Sequence, residues 1–189
     1  MTGALPEGTR AHREEANRQP MLRVGVLTVS DSRTQETDES GPLIRREFES
    51  AGDACTVADL LPNDESRVRA LVDTWLGRDD VDVIIVTGGT GLGSRDRSIE
   101  AMRPLVEKEI PGFGELFRLI SYREQVGTSA ILSRAFAFSA RGKAVVVLPG
   151  SRAAVELAVR KILLPELKHL LRDSLDPNMP VTWTLQLES

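Results

Sequence analysis

The run VDVIIV at residues 81–86 leads straight into TGGTGLGSRD, so that Gly88, Gly89, Gly91 and Gly93 fall within six positions behind an apolar segment. Nearly continuous apolar character predicts a central strand covered on both faces. Four missing side chains at the end of that strand imply that something approaches the backbone closely. A glycine-rich turn there exposes N–H groups in a concave nest, whose natural guest is an anion. Thr87, Thr90, Ser94, Arg95 and Asp96 surround the glycines with further polar groups, more than a tight turn alone requires.

The same arrangement recurs along the chain. LRVGVLTVS at residues 22–30 ends in the polar cluster Asp31-Ser32-Arg33, and KAVVVLPGS at residues 143–151 ends in Pro149-Gly150-Ser151. CTVADLL reads as a further, weaker strand. Between the strands lie amphipathic helices. Gly41-Pro42 opens one with Leu43, Ile44, Phe48 and Ala51 on a single face, and Gly52 stops it. Asp64 opens another, in which Val68, Leu71, Val72, Trp75 and Leu76 form one buried stripe that makes Trp75 a core residue. RAAVELAVRKILLPELKHLLRD is a long helix that Pro165 should kink or divide. EIPGFGELFRLIS and VGTSAILSRAFAFSARG read as a Gly-Pro turn and two short helices.

Alternating strands and helices argue for a three-layer α/β domain with a mainly parallel central sheet and helices on both faces. In such sheets ligands sit outside the carboxyl ends of the strands. Three segments remote in sequence, around Ser30-Asp31, Thr87 to Asp96 and Pro149 to Ser151, should therefore converge at one rim.

At 189 residues with 41% hydrophobic content, the chain suits one folded domain spanning residues 21–175. Residues 1–20 are polar and mixed in charge, and read as a flexible arm. Residues 176–189 include VTWTLQL, which alternates like an edge strand or packing tail. A formal charge of −4 argues against a nucleic-acid partner. No apolar run is long enough to span a bilayer, so the expected location is cytoplasmic. Cys55 is alone, which excludes an intramolecular disulfide framework and a Cys-rich zinc site. His12 and His169 sit in a polar arm and late in a helix, where surface positions are expected.

The glycine loop fails the commonest nucleotide fingerprints. Gly88-x-x-x-x-Gly93 starts like a Walker A loop, but Ser94 and Arg95 follow in place of Lys and Ser or Thr, and no Lys occurs before Lys108. Gly89-x-Gly91 starts like a dinucleotide-binding fingerprint, but Ser94 stands where the third glycine belongs. Arg95 and Arg97 can still supply cationic donors to a phosphate, and Asp96 can hold a metal ion bridging phosphates.

TGGTGLGSRD, followed in order by EIPGFGELFRLIS, GTSAILSRA and VVVLPGS, resembles the molybdopterin-binding family of molybdenum cofactor biosynthesis, in its MoaB and MogA branch and closer to MoaB. The resemblance runs from about Leu22 to Leu171. It implies adenylyl transfer, in which molybdopterin and Mg-ATP give adenylylated molybdopterin and pyrophosphate. By similarity, Gly88, Gly89, Thr90 and Gly91 would cradle the nucleotide phosphates, with Asp96 positioning Mg²⁺ and nucleotide, and Thr87, Ser94 and Arg95 flank the cradle as further binding residues. Ser30 and Asp31 would line the nucleotide side, and Ser133, Arg134, Pro149, Gly150 and Ser151 would complete the pocket. The resemblance also implies a homotrimer or homohexamer, for which Phe136, Phe138 and VTWTLQL are candidate interface residues, and other cofactor-biosynthesis proteins as partners.

One departure bears on activity. Adenylyltransferases of the family carry Pro-Asp-Asp or Pro-Asp-Glu at the end of the second strand, where this chain has Pro62-Asn63-Asp64. Asn63 offers a carbonyl oxygen without charge. Asp64 either replaces the lost carboxylate as a catalytic and metal-binding group or only caps the next helix. An enzyme and a non-catalytic molybdopterin carrier therefore both remain open, and a flavodoxin-like nucleotide sensor is the reading from outside the family.

Overall fold

The computed structural model describes residues 21–175. The expected arm at residues 1–20 with His12, and the tail at residues 176–189, lie outside the described residues. In chain order the elements are β1 (Arg23–Val29), α1 (Ser40–Ser50), β2 (Ala54–Leu61), α2 (Glu65–Leu76), β3 (Val83–Thr87) and α3 (Ser98–Met102), followed by β4 (Lys108–Glu109), α4 (Pro111–Ser121), β5 (Phe136–Ala140), β6 (Lys143–Leu148), α5 (Arg152–Ala158) and α6 (Leu164–Leu175).

Six strands form one sheet in the order β2-β1-β3-β6-β5-β4. β2, β1, β3 and β6 run parallel, and β5 and β4 add an antiparallel margin. Alternate side chains feed two cores, because successive residues of a strand point to opposite faces. Val24, Val26, Val83, Ile85 and Val146 pack against α1, α4, α5 and α6, while Leu27, Ile84, Val86 and Val145 pack against α2 and α3. The three-layer α/β arrangement follows from that partition. Trp75 is buried as its helical stripe predicts. Its indole lies over Gly25, where a Cβ would stand 3.1 Å from Cε3.

Local chemistry sets several boundaries. The Asp64 side chain accepts from the backbone N–H of Arg67 and starts α2. Pro165, the second residue of α6, lacks the N–H a continuous helix needs there, and a π-helical segment, Val159–Leu163, separates α5 from α6. The expected division at Pro165 is thus present.

One expected element is corrected. FAFSA, taken with its surroundings as helical, is β5, joined to β6 by Arg141-Gly142. Both turn residues have positive φ, 49° and 72°, which matches the twist a tight hairpin requires. Phe136 and Phe138 are consequently buried, with ring centroids 5.5 Å apart, and do not form a surface for assembly.

Candidate functional site

The parallel register brings three strand ends to one level. Thr28 of β1 pairs with Thr87 of β3, and Thr87 with Leu148 of β6. Strand order reverses between β1 and β3, because β1 is followed by its outer neighbour β2 while β3 lies on the other side. Such a switch point is where open α/β sheets leave a crevice. Here the crevice is a cleft of about 890 Å³, lined by the segments after β1, β3 and β6.

Close backbone approach explains the first glycines. Gly88 has φ of +97°, and a Cβ there would stand 2.1 Å from the carbonyl oxygen of Val29. Gly150 packs directly against it, a Cβ on Gly150 being 3.0 Å from Gly88 Cα. Ser40 ties α1 to the same rim by donating to the carbonyl of Gly150 at 3.0 Å, while Thr87 donates to the carbonyl of Pro149 at 3.2 Å.

The loop after β3 is held through its carbonyls. Ser98 donates from Oγ to Gly88 O at 2.7 Å and from its amide to Gly89 O at 2.9 Å. Arg134 donates to the carbonyls of Thr90, Gly91 and Asp96 at 2.9, 2.7 and 3.3 Å. Among the described residues, no acceptor meets the N–H groups of Gly89, Thr90 and Gly91, all three of which line the cleft. A run of unpaired amides at a strand end is a site for anionic oxygen.

Charged groups flank this nest. Arg33 and Arg95 line the cleft. Asp31 accepts from the Asn63 amide at 2.8 Å, and its Oδ2 lies 3.9 Å from Arg95 Nε. The Asn63 amide beside it holds the Asp31 carboxyl below its usual range, with Asn63's side chain and Arg95 adding to the effect against partial desolvation. Asp96 folds into its own loop, where Oδ2 accepts from the Gly93 amide at 3.1 Å. Gly91 and Gly93 leave room for that carboxylate, since a Cβ on either would approach Oδ2 to 2.6 or 2.8 Å.

Of the residues singled out from sequence, Ser30, Asp31, Asn63, Thr87, Gly88, Gly89, Thr90, Gly91, Ser94, Arg95, Asp96, Pro149, Gly150 and Ser151 all line the cleft. Three do not. Asp64 is turned to capping α2, Ser133 accepts from the Ala135 amide at 3.4 Å, and Arg134 lies behind the loop with its guanidinium also on Glu100 at 2.7 Å. Arg97 is paired with Glu65 at 2.6 Å and does not face the cleft. Arg33 was not singled out, although the polar cluster at the end of β1 signalled it. Its guanidinium donates to Ser40 Oγ at 2.9 Å, in a network where Asp38 also accepts from Thr28 at 2.6 Å.

The donor set bears on metal binding. Among the described residues no group of three or more His, Cys, Asp or Glu side chains forms a dedicated metal centre. Mg²⁺ needs less, because it is commonly held by one or two carboxylates together with substrate phosphates. Asp31 and Asp96 line the cleft, and Asn63 Oδ1 is buried without a hydrogen-bond partner. Cys55 and His169 lie elsewhere. Burial raises the Cys55 thiol, and His169 faces Glu166 at 3.6 Å on α6. No helix among the described residues is long and apolar enough to cross a membrane.

Residues 25–169 match the family model described as a probable molybdopterin binding domain. The chain is 45% identical over 164 residues to molybdenum cofactor biosynthesis protein B of Halalkalibacterium halodurans, covering 87% of this chain and 95% of that protein. A crystal structure of a molybdenum cofactor biosynthesis protein B superposes with a TM-score of 0.79 at 44% identity, covering 82% of this chain and 96% of the other. The tungsten cofactor synthesizing protein MoaB from Pyrococcus furiosus gives 0.74 at 36% identity, with 82% and 98% covered.

Proposed function

Because this chain belongs to the MoaB and MogA family of molybdopterin-binding proteins in molybdenum cofactor biosynthesis, we propose that its cleft takes up molybdopterin and Mg-ATP together and transfers the adenylyl group to the pterin's terminal phosphate. The observation that carries this reading is the set of unpaired amides at Gly89, Thr90 and Gly91 in a cleft of about 890 Å³. That volume is at the upper end of ordinary ligand pockets, as two substrates require.

In the transfer, an oxygen of the pterin phosphate bonds to the α-phosphorus of ATP. The bond from that phosphorus to the bridging oxygen breaks, and its electron pair leaves with pyrophosphate. Two anions must meet in line, so positioning and charge neutralisation supply most of what catalysis needs. The loop amides bind phosphate oxygens without adding bulk. Arg33 and Arg95 offset the accumulated negative charge from the walls. Asp96 and Asp31, with the carbonyl oxygen of Asn63, would hold Mg²⁺, which neutralises the phosphates when bound.

A second reading is binding of molybdopterin without turnover. It is favoured by Asn63, which stands in place of a carboxylate, and by the engagement of Asp64 with the α2 amide of Arg67. Purified protein supplied with molybdopterin, ATP and Mg²⁺ distinguishes the two. Adenylyl transfer gives pyrophosphate that Asp96→Ala abolishes. Tight pterin binding with background pyrophosphate selects the second reading, and binding of neither molybdopterin nor nucleotide removes both.

A further inference from the structure

Arg134 gathers three carbonyl groups of the glycine loop on one guanidinium, through Nε to Thr90 and Nη2 to Gly91 and Asp96. Its remaining arm, Nη1, donates to Glu100 Oε1 at 2.7 Å. The contacts reach both limbs of the loop, residues 90–91 and residue 96, and anchor them to the segment before β5. Glu100 lies on α3, directly after the loop, so the ion pair closes the strap on the loop's own continuation. The second oxygen, Glu100 Oε2, is buried without a partner, an arrangement that costs free energy which the pairing of Oε1 with Arg134 offsets.

A loop can turn amides toward an anion only if its carbonyls are accommodated elsewhere. We infer that Arg134, aimed by Glu100, is a positioning residue that preorganises the Gly89–Gly91 amides for nucleotide phosphate while standing outside the cleft itself. The inference rests on the reading of the cleft as a nucleotide-phosphate site. Geometry matters more than charge in this role. Lysine would preserve the charge but could not span three carbonyls and a carboxylate with a rigid fork.

The test compares the wild-type protein with Arg134→Lys and Glu100→Gln, using Mg-ATP as the probe. Backbone hydrogen exchange of the hydrogen-bonded loop amides of Gly93, Asp96 and Ser98 in the ligand-free protein reads the strap directly. Mg-ATP titration reads its consequence. Arg134→Lys should exchange about tenfold faster at these three amides and bind Mg-ATP about tenfold more weakly. Glu100→Gln should also weaken binding, whereas simple electrostatics would make removal of a nearby negative charge strengthen it. Wild-type exchange or wild-type affinity in Arg134→Lys overturns the inference, as does tighter binding in Glu100→Gln. If the wild-type protein binds no Mg-ATP, the functional reading of the cleft falls, and the exchange rates alone decide whether Arg134 orders the loop.

Discussion

The backbone amide of Asn63 donates to Oδ1 of Asp31 at 2.8 Å, tying the end of β2 to the end of β1 at the lining of the cleft. This bond holds the Asp31 carboxyl below its ordinary value of 3.8. A carboxylate whose folded value is depressed contributes stability that is complete above the unfolded value and lost as pH falls through the folded one. The Asn63 amide resonance should therefore stay constant through neutral and mildly acid pH and shift with a midpoint below the ordinary carboxylate value, as Asp31 protonates. A midpoint at or above the ordinary carboxylate value, or no response of the Asn63 amide to acid, would show that the bond is absent.

Gly88→Ala should be among the most damaging single changes. It places a side chain at φ +97°, with its Cβ 2.1 Å from a backbone oxygen that cannot move freely. The expected loss is about 3 kcal/mol or more in denaturant unfolding. Gly112→Ala is the control, because nothing beyond its chain neighbours and its own helix backbone lies within 4 Å of its Cβ position, and it should not destabilise the protein. Equal effects would mean that the loop does not approach β1 as described.

Asn63→Asp should make the cleft more dependent on Mg²⁺. The new carboxylate stands close to Asp31, so without metal the two repel and stability falls. With Mg²⁺ the loss should be recovered, and pyrophosphate release should rise by about tenfold, equivalent to about 1.4 kcal/mol. A thermal midpoint that does not respond to Mg²⁺ would remove Asn63 from the metal-binding account.

The parallel core was legible in the sequence because β1, β3 and β6 are dense in β-branched residues, and each ends abruptly in small polar ones. The cleft was legible for the same reason, since the rim is where those endings meet. β5 was not. FAFSA follows an Ala- and Ser-rich segment with no turn signal before it, and its hairpin is built on Arg141-Gly142, a pair that lacks the Asn or Asp usually marking such turns. Arg134 resembled a ligand-facing residue because its partners, Thr90, Gly91 and Asp96, lie about 40 positions away and are backbone carbonyls, which carry no residue-specific signature.

Exposed apolar residues on α4 and beyond bear on assembly. Leu116 and Leu119 are 40% and 45% exposed, Tyr122 54% and Ile131 82%, a concentration that soluble surfaces usually cover. We expect a homotrimer or homohexamer, and Leu119→Glu should shift sedimentation toward the monomer. A wild-type protein that sediments as a monomer at micromolar concentration would contradict the expectation.

We propose one cleft for both molybdopterin and nucleotide. It is tested most directly by titrating the protein with molybdopterin in the presence of Mg²⁺ and a saturating, non-reactive ATP analogue. One molybdopterin should bind per chain while the analogue stays bound, and Gly89→Ala should weaken both. Mutually exclusive binding of the two ligands, or undiminished binding of both to Gly89→Ala, would contradict it.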